Sequence, residues 1–172
     1  MRKNTVTIIG GGASGLVAAI IATREGAQVR IIERMQRVGK KILATGNGRC
    51  NLANRDLDFE HYHGKEPGFV VPVLMACDLD RTLAFFQNLG LEFIEEDGKI
   101  FPRSEPAGSV LEVLRYEALR LGVEEITKQR VSEIVKDAGG YRLLSTDGES
   151  WSSDTVIIAT GGKSSPNLGS NG

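Results

Sequence analysis

The sequence holds 172 residues, 41% of them hydrophobic and 25% charged, a mixture that builds a globular core and is unlike a disordered chain. Its 21 basic and 22 acidic side chains leave a formal net charge of -1, which gives no electrostatic reason to expect nucleic acid or an anionic membrane as main partner. No apolar run is long enough to span a bilayer, and the opening Met1-Arg2-Lys3 followed by a run broken at Gly10 is too short for a signal peptide. Cys50 and Cys77 form neither a zinc-type nor a redox-type pair, so a reducing cytoplasm is the expected compartment. Glycine is the unusual residue: 21 of 172, gathered at 10–15, 39–48 and 161–172, against a usual share of about 7%. Clusters of this kind point to loops shaped around a ligand.

In chain order, Val6, Ile8 and Ile9 read as a strand buried on both faces. A helix is expected from about Ser14 to Glu25, stopped by Gly26, and a second buried strand contains Val29, Ile31 and Ile32. Strand, helix and strand within about 30 residues make a βαβ unit with parallel strands. From Arg34 to Gly68 the periodicity fades into a loop region that includes KKILATGNGRCNLAN. Helical spacing returns at Leu79, Leu83, Phe86 and Leu89, with Asp78 as N-cap, and Glu92 to Phe101 reads as a hairpin turning at Asp97-Gly98. Val110, Leu114, Ala118 and Leu121 mark another helix, followed by a short strand from Val123 to Ile126. The segments beginning at Val131 and Tyr141, then GESW, read as an antiparallel meander, and Thr155 to Ala159 as a last core strand. The chain ends at Gly172 in a glycine-rich run, so the expectation is one incomplete domain over residues 1–172.

Gly10, Gly12 and Gly15 have the spacing G-x-G-x-x-G. Gly10 allows the tight turn, Gly12 keeps a side chain away from a pyrophosphate, and Gly15 lets helix and strand pack closely. The helix N-terminus they introduce favours an anion through its free N–H groups and its dipole. Glu33, at the end of the second strand, is placed to accept hydrogen bonds from both ribose hydroxyls of an ADP half and to repel a 2′-phosphate. FAD and NAD share that half, so the fingerprint alone leaves both open.

The run from Val6 to Glu33, together with DTVIIATGG from Asp154, resembles the FAD-binding form of this fingerprint. GKKILATGNGRCNLAN from Gly39, GKIFPRSEPAGSVLEVL from Gly98 and SSPNLGSNG from Ser164 resemble a narrower group, the bacterial FAD-dependent oxidoreductases related to bile-acid dehydro-steroid reductases, also called the aminoacetone oxidase family. The resemblance implies an α/β Rossmann-like FAD-binding domain with a parallel sheet and an antiparallel β-meander, as the N-terminal portion of a longer flavoprotein whose insert domain and returning C-terminal segment are absent here. It also implies FAD as cofactor, NAD(P)H as electron donor and a small enone-like molecule as acceptor. In matching positions, Gly10, Gly12, Ala13, Ser14 and Gly15 would line the pyrophosphate, Glu33 the ribose and Arg34 the adenosine end. Lys41, Thr45, Gly46, Gly48, Arg49, Cys50 and Asn51 would follow the pyrophosphate, ribityl chain and flavin ring. Val131 would offer backbone groups to adenine, and Ala159, Thr160 and Gly161 would close over the cofactor.

Other candidates have simpler readings. Cys50 beside Arg49 lacks a resolving cysteine or a base and reads as a small packed residue. His61 and His63 lack a third ligand and read as loop residues, so no metal is expected. Lys128-Gln129-Arg130 reads as a solvated turn. Neither a nucleophile elbow nor a P-loop is present, and no residue stands out as catalytic acid or base. The competing readings are a non-catalytic remnant and an NAD-binding module of another oxidoreductase.

Overall fold

The computed structural model describes residues 3–162, so the run Ser164 to Gly172 lies outside the described residues. In chain order the main elements are β1 (Thr5–Ile9), α1 (Ala13–Arg24), β2 (Gln28–Ile32), β3 (Ala53–Asn54), α2 (Val71–Ala76), α3 (Leu79–Gln87), β4 (Phe93–Glu96), β5 (Lys99–Pro102), α4 (Ala107–Arg120), β6 (Glu124–Ile126), β7 (Val131–Asp137), β8 (Gly140–Ser145), β9 (Ser150–Ser153) and β10 (Thr155–Ile158). Two compact units divide the chain: Met1–Leu43 with Leu114–Gly172, and Ala44–Val113.

The first unit is built on a four-stranded parallel sheet in the order β10-β1-β2-β6. Its strands read TVTII, QVRII and TVII, runs of β-branched residues whose stiff side chains suit a pleated surface. Ile8 lies in register with Ile31 on one side and Ile157 on the other. Val6, Thr7 and Ile8 are consecutive and all buried, the pattern of a strand covered on both faces. Helix α1 turns Leu16, Ala19 and Ile20 inward, each with no exposed surface. Each fully buried Leu or Ile contributes about 1.5–3 kcal/mol. The helix ends as Glu25 donates to the Ile21 carbonyl and the chain swings through Gly26 at φ +91°. The meander β7-β8-β9 is antiparallel throughout. At the foot of β1, the Thr5 N–H and hydroxyl both donate to Asp154 Oδ2, at 2.8 and 2.7 Å, which fixes the turn into β10.

One buried carboxylate ties α1 to the C-terminal half of α4. Glu117, 7% exposed, accepts from Arg24 at 2.8 Å and from Arg120 at 2.6 and 2.9 Å. The Arg120 hydrogen bonds, aided by those of Arg24, outweigh the opposing effect of burial and hold its pKa down to about 2, against an ordinary 4.5. A depressed carboxylate pKa stabilises the fold above the unfolded value and loses that contribution as pH falls through the folded one. Glu117→Gln is therefore expected to cost about 1–3 kcal/mol at neutral pH, with the difference from the parent shrinking between pH 4.5 and 2. Urea unfolding of both proteins across that range measures it.

In the second unit, β3, β5 and β4 form a small antiparallel sheet. Its hairpin turns at Asp97 and Gly98, with φ +50° and +75°, the left-handed pair that a two-residue turn matching strand twist requires. Asp78 caps α3 by accepting from the Arg81 N–H at 2.8 Å. Helix α2 falls outside the sequence expectation. It follows a proline-opened 3-10 turn at Pro67–Val70 and carries another proline in its first turn.

Among the described residues, no helix is long and apolar enough to cross a membrane, and no cluster of three or more metal-ligating side chains exists.

Candidate functional site

The turn from β1 to α1 is shaped by contacts that separate its glycines into two kinds. A Cβ at Gly10 would run into the Ala159 carbonyl and sit 3.1 Å from Thr160 Cα, and the residue itself has φ +104°. A Cβ at Gly15 would overlap the Gly10 carbonyl oxygen, and one at Gly11 would overlap the Val38 side chain. These three positions are closed by the protein's own packing. Gly12 differs: its backbone is extended, at φ -77° and ψ -170°, and a Cβ there would meet nothing within 4 Å among the described residues. Among the described residues, nothing requires glycine at that position.

Gly12 is also the N-cap of α1, makes no side-chain cap and precedes a first turn without acidic residues. The 12-residue helix therefore presents uncapped N–H groups and the positive end of its dipole toward open space. That space is a cavity of about 470 Å³ lined by Gly10, Gly12, Ala13 and Ser14, within the range that holds small ligands. Arg34, Arg37, Lys40, Lys41 and Arg130 also line it, against a single lining carboxylate among the described residues, Glu33. The balance of charge favours an anion. Gly15 packs behind the turn, against Gly10.

Glu33 has a structural task that its sequence position does not reveal. Its Oε2 accepts from the Gly11 N–H at 2.7 Å and its Oε1 from the Met35 N–H at 2.8 Å, so the carboxylate braces the glycine turn against the chain leaving β2. A carboxylate has about four acceptor sites; among the described residues two are taken, one on each oxygen. In Glu33→Gln an amide NH2 faces one of these N–H groups. Ligand-free stability is expected to fall by about 1–3 kcal/mol, seen by thermal unfolding before any ligand is added.

Val131, Ala159, Thr160 and Gly161 line the same cavity. Ala159 is held by its N–H donating to the Ile9 carbonyl at 2.8 Å. The remaining wall comes from a segment the sequence suggests is solvated. Lys128 is exposed and turns through φ +60°. Its N–H donates to the Met35 carbonyl and the Gln129 N–H to the Glu33 carbonyl, at 2.9 and 3.0 Å. This zipper draws Gln129 and Arg130 into the cavity wall. Gln129 Oε1 and Arg34 Nε are both buried with no hydrogen-bond partner among the described residues. Unsatisfied polar atoms at a cavity are costly unless a ligand or water meets them.

Thr45, Gly46, Gly48, Arg49, Cys50 and Asn51 belong to the second unit. Gly46, Asn47, Gly48 and Cys50 all have positive φ, between 54° and 86°, so the backbone coils tightly. The Arg49 guanidinium is engaged by Glu96 at 2.8 and 2.7 Å and lies 4.3 Å from the Phe101 ring centroid. Burial raises the Cys50 thiol pKa, against a smaller opposing effect of its Thr45 hydrogen bond. A buried, protonated thiol suits packing and not nucleophilic attack. His61 pairs with Asp56 at 2.8 Å on the surface.

The family described as HI0933-like protein Rossmann domain matches residues 4–172. The chain belongs to that family. Among curated relatives, this HI0933-like chain is 48% identical over 171 residues to the 3-dehydro-bile acid delta(4,6)-reductase of Clostridium scindens, covering 98% of itself and 42% of that protein. It is 29% identical over 166 residues to the ribosomal RNA dihydrouridine synthase of Haemophilus influenzae, covering 94% of itself and 41% of that protein. The chain thus spans about two fifths of the length of these relatives. Among solved structures, the 3-ketosteroid-delta4-(5alpha)-dehydrogenase of Rhodococcus jostii RHA1 superposes with a TM-score of 0.63 at 16% identity, covering 94% of this chain and 47% of that one. This last likeness shows the fold: a Rossmann-type domain with parallel sheet and antiparallel strands.

Proposed function

We propose that the HI0933-like chain is the FAD-binding portion of a flavin-dependent oxidoreductase that takes hydride from NAD(P)H and delivers it to a small organic acceptor of enone type. The observation that carries the reading is Gly12: open space where a Cβ would stand, over an uncapped helix N-terminus in a cavity rich in cations. The residues present fit an ADP half. Uncapped N–H groups of α1 would hold the pyrophosphate, Glu33 would accept from the ribose hydroxyls and repel a 2′-phosphate, and the Val131 backbone would border the base. Gly10 and Gly15 hold the turn in shape, and Ala159, Thr160 and Gly161 close its other side.

Bound FAD would supply two-electron hydride transfer, while the protein orients the cofactor and excludes water. The acceptor class draws on the relatives' names. A delta(4,6)-reductase of a 3-dehydro bile acid and a dihydrouridine synthase both saturate a ring double bond conjugated to a carbonyl. At 48% against 29% identity the small-molecule acceptor is favoured over RNA, in keeping with a net charge of -1.

The test is anaerobic. Protein loaded with FAD is mixed with NADH or NADPH, and the visible flavin absorbance is followed before and after a cyclic enone is added. Bleaching by the nicotinamide and recovery with the enone are expected. Failure of both nicotinamides to bleach bound flavin, or of enones to restore it, contradicts the proposed reaction.

A further inference from the structure

Resting on the reading of the cavity as a site for an ADP half, we infer that the side-chain amide of Gln129 reads the exocyclic amine of adenine, making this wall selective for adenine over 6-oxopurines. Gln129 lines the cavity, and its Oε1 is buried without a hydrogen-bond partner among the described residues. Its place is set by the backbone: the Gln129 N–H is spent on the Glu33 carbonyl, and the next residue but one is Val131. Gln129 therefore lines the same cavity as Glu33, whose carboxylate suits a ribose, and Val131, whose backbone suits a base. Arg34, whose Nε is likewise buried and unpartnered among the described residues, lines the same cavity.

The chemistry of the orphaned atoms selects the base. Oε1 is an acceptor, and adenine offers it a donor in its N6 amine; hypoxanthine and guanine present a carbonyl oxygen there, lone pair against lone pair. A glutamine amide facing adenine is a matched donor–acceptor pair, worth about 10- to 100-fold against the wrong base. The Arg34 Nε–H, a donor, suits N3 or N7, ring acceptors that adenine and hypoxanthine share, so it adds affinity without discrimination.

The experiment compares ADP with inosine diphosphate, in which the 6-amine becomes a carbonyl oxygen and N1 gains a proton, as competitors of FAD on the whole chain. The parent is expected to prefer ADP by about 10-fold or more. Gln129→Met, close in shape but without the amide, is expected to bring the ratio near one. Gln129→Glu, which keeps an acceptor, is expected to retain the preference. A residue that merely props the wall would weaken both nucleotides equally and leave the ratio intact, so an unchanged ratio in Gln129→Met overturns the inference. So does a parent that binds both nucleotides alike, whatever the variants do. Failure of the folded parent to bind FAD or ADP at all is a separate result and overturns the cofactor reading itself.

Discussion

Gly12→Asp is expected to raise ligand-free stability while lowering FAD affinity by about 100-fold or more. The two signs come from different states of one position. Without ligand, the Cβ enters open space on a backbone that any residue adopts, and aspartate is a preferred N-cap where Gly12 now makes none. Capping, the helix dipole and the loss of unfolded-chain freedom together favour the variant by about 0.5–1 kcal/mol. With ligand, the new carboxylate would occupy the N–H groups proposed to hold the pyrophosphate and would repel its charge. Losing two charge-assisted hydrogen bonds at about 1.5–3 kcal/mol each gives the expected fold-change. Thermal unfolding without ligand and flavin fluorescence titration measure the two halves. A Gly12→Asp protein that is less stable without ligand, or binds FAD as well as the parent, contradicts the reading.

Gly10→Ala and Gly15→Ala are expected to behave in the opposite way, lowering ligand-free stability by about 3 kcal/mol or more. At Gly10 the added methyl meets the Ala159 carbonyl and the residue is forced to keep φ +104°; at Gly15 it meets the Gly10 carbonyl oxygen. In both cases the obstructing atom is backbone inside a hydrogen-bonded strand-turn-helix, so β10, β1 or α1 must shift. Denaturant midpoints of the ligand-free variants measure the loss. If Gly15→Ala unfolds with the parent's midpoint, the close approach of helix and strand is wrong. The contrast between Gly12 and its two neighbours separates binding from folding within six residues.

The sequence made this division legible in outline. The spacing Gly10, Gly12, Gly15, the β-branched runs around it and the interval to Glu33 follow from local rules, because strand, helix and turn signals agree there. The Asp78 cap and the Asp97-Gly98 hairpin are equally local. What stayed hidden was decided by distant contacts. Lys128-Gln129-Arg130 is polar and looks solvated, and only the two hydrogen bonds to Met35 and Glu33 turn Gln129 into the cavity wall. Glu33 reads as a ribose ligand, while its bonds to Gly11 and Met35 depend on how the β1 and β2 ends converge. Helix α2 follows the Pro67 turn and carries Pro72, a break signal in sequence, in its own first turn, where a missing N–H costs nothing. Arg49 falls in the loop that the resemblance sets along the cofactor, while Glu96 and Phe101, about 50 residues away, engage its guanidinium.

The central claim is that the cavity beside Gly12 and Glu33 is a cradle for the ADP half of FAD. Isothermal titration of ligand-free, folded protein with FAD and, separately, with FMN tests it most directly, because FMN carries the flavin without the adenosine half. Saturable one-to-one binding of FAD, competed by ADP and far tighter than that of FMN, is the expected result. FMN binding as tightly as FAD, or no binding of FAD to the folded protein, would contradict it.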